Sequence, residues 1–264
     1  MRVHLYAQCW NDEWMLPFFF RHYDSLVDRY FIYDDGSTDE SWAMLRSHPK
    51  VEARRFVRSV KESFVLSEQS FSNQSWKLSR AEADWVIVTD IDEHLLHPSG
   101  RAYLSHCATE GVTVIPALGF QMISEREPTP GENLCLDYPI GMPWEPLMKA
   151  SIFSPGAVTE MRFAPGRHTA DPVGRIQVPG VDELLLLHFK YMGFERTHRR
   201  HQQLCERLGH LDMQQGWGHK YSWSVEALRE DWDESARHAI DTAVSRSDLA
   251  KHYPIRPWWQ KYRG

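Results

Sequence analysis

Residues 84–94, Asp-Trp-Val-Ile-Val-Thr-Asp-Ile-Asp-Glu-His, set two carboxylates one residue apart, Asp90 and Asp92, with Glu93 directly behind them. They end an apolar run that reads as a buried strand, and a strand end opening into a crevice is where open α/β sheets bind their ligands. Gathered carboxylates repel one another unless a cation or a network of donors neutralises them. An oxygen-only cluster suits Mg2+ or Mn2+. The chemistry this spacing points to is a divalent metal holding a diphosphate. Acidic residues at strand ends also cap helices and form turns, so the pair alone does not decide the matter. A second cluster repeats the plan. Residues 29–40, Arg-Tyr-Phe-Ile-Tyr-Asp-Asp-Gly-Ser-Thr-Asp-Glu, end an apolar run in Asp34 and Asp35 before Gly36 and Ser37 turn the chain toward a helix that Thr38 or Asp39 would cap.

With the opening run Val3-His-Leu-Tyr-Ala-Gln-Cys-Trp-Asn-Asp-Glu, these segments resemble a family 2-type glycosyltransferase with the GT-A fold. The resemblance is to the branch whose first strand ends in Asn-x-Glu and whose metal motif reads Asp-x-Asp-Glu. It is specific through that motif and patchy afterwards, where Lys149, His168 and His188 are the landmarks. It implies transfer of a sugar from a nucleotide-sugar donor, UDP-linked, to a glycan or lipid-linked acceptor, in the setting of surface-polysaccharide synthesis.

Departure of a nucleoside diphosphate builds negative charge on its β-phosphate, which a divalent cation offsets. Asp92 is the first candidate ligand. By resemblance Asp90 contacts ribose or sugar hydroxyls with partial metal contact, while Glu93 supports the ligands, meets the acceptor or serves as a helix N-terminal acid. By the same resemblance Asp34 sits where family members accept the uracil imide hydrogen, with Asp35 competing for that role. Asn11 and Glu13 line the nucleotide pocket or start a capped helix. A late histidine ligates the metal in many such enzymes. His188, ending the run Leu184-Leu-Leu-Leu-His, is the first candidate and His168 the second. Imidazole suits Mn2+ better than Mg2+. Lys77 and Lys149 are the candidate contacts to the phosphates or the acceptor, whereas Arg196, Arg199 and Arg200 form a basic helix segment that meets an anionic acceptor or, more simply, is a solvated face.

A general base must sit within reach of the acceptor hydroxyl. The expected Glu-Asp pair is missing, which leaves Glu145, Asp182 and Glu183 and does not distinguish inversion from retention. A metal-dependent phosphohydrolase using Asp90 and Asp92 is the alternative enzyme class, but it explains the Asp34 cluster poorly. A noncatalytic carbohydrate-binding protein rests on the aromatic content alone.

The elements that must position these residues alternate in the first half: strand Val3–Cys9, helix Glu13–Tyr23, strand Tyr30–Tyr33, helix Thr38–Arg46, strand Val51–Val57, helix Leu66–Ala83 and strand Trp85–Thr89. Such alternation predicts a parallel sheet within a Rossmann-like α/β/α sandwich. Beyond Gly111 the pattern predicts strands Val112–Ile115, Gly119–Ile123, Lys149–Phe153 and Glu183–Phe189, with a loop over Pro128–Pro146. Helices Phe194–Leu208 and Ser224–Val244 make the last part mainly helical, before an aromatic segment at Trp258 and Trp259. One domain over 1–264 is expected, with 1–110 binding the nucleotide sugar and 111–264 the acceptor.

Composition fits this. The chain has 264 residues, 42% of them hydrophobic, enough for a sizeable core. Its net charge of −6 argues against a nucleic-acid binder. Cys9, Cys107, Cys135 and Cys205 lie too far apart for a zinc motif or a disulfide scaffold and read as thiols in a reducing cytoplasm. No signal peptide or spanning segment is evident. The protein is expected to be cytoplasmic, at most peripheral to a membrane.

Overall fold

The computed structural model describes residues 1–243, 246–253 and 256–263. Strands β1 (Val3–Cys9), β2 (Arg29–Asp34), β3 (Val51–Arg55) and β4 (Trp85–Val88) form a parallel sheet in the order β3-β2-β1-β4. Helices α1 (Leu16–Tyr23), α2 (Ser41–Ser47) and α3 (Phe64–Gln74) lie in the connections. Strand β1 is buried along its whole length, so both its faces are covered by packed layers. Val3, Leu5, Ala7 and Cys9 join the larger core with Phe18 and Phe19 of α1, while Tyr6 joins a second core with Trp76 and Val88. Side chains alternate along a strand, and this alternation makes a layered α/β sandwich.

The chain then returns as β5 (Glu93–Leu96), followed by α4 (Gly100–Thr109), β6 (Val114–Ser124), α5 (Leu134–Asp137), β7 (Ile140–Pro143), β8 (Lys149–Phe153), β9 (Val158–Glu160), β10 (Val173–Gly174) and β11 (Leu185–Met192). Helices α6 (Phe194–Arg207), α7 (His210–Gln214) and α8 (Val225–Arg237) and the short β12 (Ile240–Asp241) follow. Strand β8 runs antiparallel between β4 and β6, and β11 pairs with both β5 and β6. Its register sets Glu93 opposite His188 and His188 opposite Gln121.

Several boundaries differ from those expected. Glu93 opens a strand, which removes its reading as a helix N-terminal acid. Helix α3 starts at Phe64 because the Ser63 hydroxyl accepts from the Leu66 N–H at 3.0 Å, and it gives way after Gln74 to a 3-10 turn over 75–79. The strand expected over Val51–Val57 ends at Arg55. The expected strands Val112–Ile115 and Gly119–Ile123 merge into one long strand that begins at Val114, in which Gly119 admits the Leu147 backbone: a Cβ there would lie 2.3 Å from it. The expected loop Pro128–Pro146 holds α5, capped by the Asn133 side chain, and β7. Helix α8 stops at Arg237, short of Val244, which lies outside the described residues. Among the described residues no helix is long and apolar enough to cross a membrane.

Candidate functional site

The parallel strands β1, β2 and β4 end on one edge, and the turn after β4 brings the acidic motif there. Glu93 is buried to 1% exposure, where a lone carboxylate would be costly. Its Oε1 accepts from the Lys149 ammonium at 2.5 Å and its Oε2 from the Arg167 guanidinium at 2.8 Å. Burial would raise the Glu93 carboxyl, but Lys149 and Arg167 overturn this and hold it well below the usual carboxylate range. Arg167 reaches in from a turn at φ +58°. It also donates to the Val88 carbonyl at 2.8 Å and lies 2.8 Å from the half-exposed Asp90 carboxylate. Glu68 of α3 closes the network, 3.7 Å from Arg167 and accepting from Ser72 at 2.5 Å; burial pushes its carboxyl up, and Arg167 offsets only part of this.

Asp92 points elsewhere, to His188 Nε2 at 3.2 Å. The Gln121 amide nitrogen donates to the carbonyls of Met122 and His188 at 3.0 and 3.2 Å, which fixes its oxygen toward His188 Nδ1, 2.8 Å away. Nδ1 therefore carries a hydrogen. The Nε2 facing Asp92 then has two states: protonated, it makes an ion pair; neutral, it offers a lone pair beside a carboxylate, the donor set of a cation site whose second partner orients the ring. Burial opposes ionisation of Asp92, yet His188 and, more weakly, Lys190 hold its carboxyl well below the usual range.

These groups floor a cavity of about 570 Å³ whose opposite wall comes from the C-terminal elements. Arg200 of α6 reaches back to the carbonyls of Trp10 and Asn11, both at 2.9 Å, and to Asp12 at 2.6 Å. It is a structural clamp rather than part of a solvated face. Trp144, Trp217 and Tyr221 supply aromatic surface. Gln8, near the end of β1, lines the same cavity; its side chain is buried and neither amide atom has a hydrogen-bond partner among the described residues.

Of the residues singled out in the sequence, Asp90, Asp92, Glu93, Lys149, His168, His188 and Arg200 line this cavity. His168 donates from Nδ1 to the Pro146 carbonyl at 2.6 Å. Asn11 and Glu13 border a separate pocket of about 400 Å³ with Arg196 and Arg199, and their side chains accept from the backbone N–H groups of Thr38 and Glu40. Asp34 is fully buried, accepting from the N–H groups of Gly36 and Ser37 and paired with Arg55. Asp35 pairs with Arg58 and Arg207, both at 2.9 Å. Neither is in the cavity wall. Lys77 binds Gln74 and Glu160 instead. Asp182 holds Trp259 and Arg263, and Glu183 is exposed and away from the cavity. Glu145 is exposed at the rim, between the lining residues Trp144 and Pro146. Gln121, Arg167 and Gln8 were not singled out, because one polar residue in an apolar or irregular stretch carries no spacing signal, and Glu68 because it is one of many polar residues on α3.

No family model matches the chain, and no curated protein matches it. Among solved structures it is similar to S. aureus TarS 1–349 in complex with UDP, at 12% identity, covering 59% of this chain and 47% of that one with a TM-score of 0.39. It is also similar to TarS 1–349, at 9% identity over 100% of this chain and 78% of that one, TM-score 0.42. A third is glucosyl-3-phosphoglycerate synthase from Mycobacterium tuberculosis in complex with Mn2+, UDP and glucosyl-3-phosphoglycerate, at 20% identity, 46% of this chain and 44% of that one, TM-score 0.31. The match spans less than half the length of the first and third of these chains.

Proposed function

We propose that this chain is a glycosyltransferase that uses Mn2+, or Mg2+ less well, and a nucleotide sugar. The observation that carries this is the Asp92–His188 pair with the His188 ring turned by Gln121, a mixed oxygen and nitrogen donor set at the mouth of a strand-end cavity. Asp92 and His188 would hold the cation, with Asp90 beside them. Bound there, the ion would act as a Lewis acid on the leaving diphosphate. Lys149 and Arg167 fix Glu93 and steady the acidic turn, while the unpaired Gln8 amide offers a donor and an acceptor to the nucleobase. This moves base recognition from Asp34, whose oxygens are already engaged. The acceptor, a glycan or lipid-linked sugar in surface-polysaccharide synthesis, would enter past Trp144 and Trp217. None of the three candidate bases lines the cavity; Glu145, exposed between the lining residues Trp144 and Pro146, is the one carried forward. On this reading residues 1–110 carry the metal turn, 111–264 the acceptor side, and the protein works in the cytoplasm, at most peripheral to the membrane.

The test is thermal unfolding with UDP, Mn2+ and both together. A ligand at 100 times its Kd stabilises by about 2.7 kcal/mol, and UDP is expected to stabilise strongly only with Mn2+. Asp92→Asn removes a ligand charge while keeping the shape, and should abolish that joint shift, while the unliganded melting temperature falls only by what the lost pairing with His188 contributes. Hydrolysis of simple phosphate esters with no UDP-dependent shift would favour the phosphohydrolase reading and end this one.

A further inference from the structure

Side chains alternate along β5, so His94 faces away from the cavity that Glu93 borders. On that rear side His22 from α1, His94 from β5 and Cys135 from α5 bring one donor atom each within 4.8 Å of one another. Two further observations point to a ligand. His94 is 1% exposed, and neither ring nitrogen has a hydrogen-bond partner among the described residues, although buried polar groups are nearly always satisfied. His22 Nε2 lies 3.0 Å from the Leu95 carbonyl. A carbonyl can only accept, so Nε2 carries the hydrogen and Nδ1 keeps its lone pair, directed at Cys135 Sγ 3.6 Å away. A metal-binding imidazole is ordinarily oriented in this way, its other N–H held by a carbonyl or carboxylate.

We propose that His22 Nδ1, one ring nitrogen of His94 and Cys135 Sγ hold a soft d10 cation, Zn2+ or Cu+, at a site separate from the donor cavity. Thiolate and imidazole together select such ions over Mg2+ or Ca2+. On binding, the metal–sulfur bond forms as the S–H bond breaks and the proton leaves to solvent, with no change of oxidation state. Burial pushes the His22 imidazole down to about 4, so it enters as the neutral ligand at pH 7. Donors around a tetrahedral zinc stand about 3.3–3.8 Å apart. The cluster therefore has to close by roughly 1 Å, and the two imidazoles, now stacked 9° from parallel, have to tilt toward a common point. With Cu+ and one thiolate the site is neutral, and with Zn2+ it carries one positive charge. Either ion would tie α1 and α5 to the strand that begins directly after Asp92.

The probe is Co2+ as a stand-in for Zn2+, added to chelator-stripped full-length protein. A sulfur ligand gives a near-ultraviolet charge-transfer band that the cavity residues Asp90, Asp92 and His188 cannot produce. One equivalent of band is expected, retained in Asp92→Asn, lost in Cys135→Ser and displaced by Zn2+. In a second arm Cu+ is titrated against a chromophoric chelator, with binding expected to weaken at least tenfold in Cys135→Ser. If that variant does not fold, His22→Gln, at a partly exposed position, should show the same losses. A folded wild-type protein that gives no sulfur band and takes up neither ion overturns the proposal, as does a band that survives Cys135→Ser. Binding in one arm alone identifies the ion.

Discussion

The sequence grouped Lys77 and Lys149 as equivalent phosphate contacts, and the structure makes them a matched pair for a stability experiment. Lys149 has a side chain 4% exposed and neutralises Glu93, whereas Lys77 and its partner Glu160 are 21% and 42% exposed. Lys149→Met leaves Glu93 buried with only Arg167. Breaking a buried pair costs about 3–5 kcal/mol. The chain can limit the loss by protonating Glu93, which at pH 7 costs about 1.4 kcal/mol for each of roughly 2.7 units above its ordinary value, or about 3.7 kcal/mol. The expected loss is therefore about 3–4 kcal/mol, a fall in melting temperature of about 6–16 °C at the usual 2–4 °C per kcal/mol. Lys77→Met should cost no more than about 1 kcal/mol, since exposed pairs contribute little. Differential scanning calorimetry at several pH values reads both. Because Glu93 is held below its ordinary value in the folded chain, its contribution is complete above about pH 4.3 and is lost as the pH falls through the folded value. The deficit of Lys149→Met should therefore be full at pH 7 and narrow in acid, where the variant's Glu93 takes up a proton first. Equal melting shifts for the two variants, or a deficit that stays constant from pH 7 to pH 4, would refute the network as described.

Gln8→Leu keeps the volume but removes both unpaired amide atoms, so UDP binding in the presence of Mn2+ should weaken about tenfold or more by calorimetric titration, with metal affinity unchanged. Undiminished UDP affinity would return the base contact to Asp34 or Asp35. Gly119→Ala drives a Cβ to 2.3 Å from the Leu147 backbone and should lower stability by the upper part of about 1–3 kcal/mol in urea unfolding. An unchanged midpoint would show that Leu147 yields without cost.

What was legible in the sequence was whatever sits at the end of a regular element. Asp90 and Asp92 follow an apolar run and Lys149 opens one, so the runs alone put them at strand ends, whereas His188, expected near an end, lies inside the longer β11. The parallel order of the first strands followed from strand–helix alternation for the same reason. Arg167 was hidden because an irregular turn with a left-handed residue delivers it, and no periodicity marks such a turn. Gln121 and Gln8 were hidden inside apolar strands, where a neutral amide reads as a tolerated polar residue until its partners are known. Lys77 and Asp182 show the converse. Their types suited phosphate binding and catalysis, but their elements aim them at Glu160 and Arg263. The turn between β4 and β5 was too short to separate a new strand from a helix start, which is why a helix N-terminus stood among the readings of Glu93.

The grip of Arg200 on the backbone of Asn11, 189 residues earlier in the chain, has a consequence for the order in which the protein is made. Parallel β1, β2 and β4 and the acidic turn are complete once β5 has been synthesised. Lys149 and Arg167 come later, and the α6 wall of the cavity later still. At ordinary translation rates of about 5–20 residues per second, the gap between β5 and the end of α6 lasts on the order of ten seconds. Until Lys149 and Arg167 emerge part-way through that interval, Asp90, Asp92 and Glu93 stand hydrated and mutually repelling on the nascent chain, without the cations that neutralise them in the finished fold. The cavity is thus closed last, by contacts between an early segment of the polypeptide and a late one.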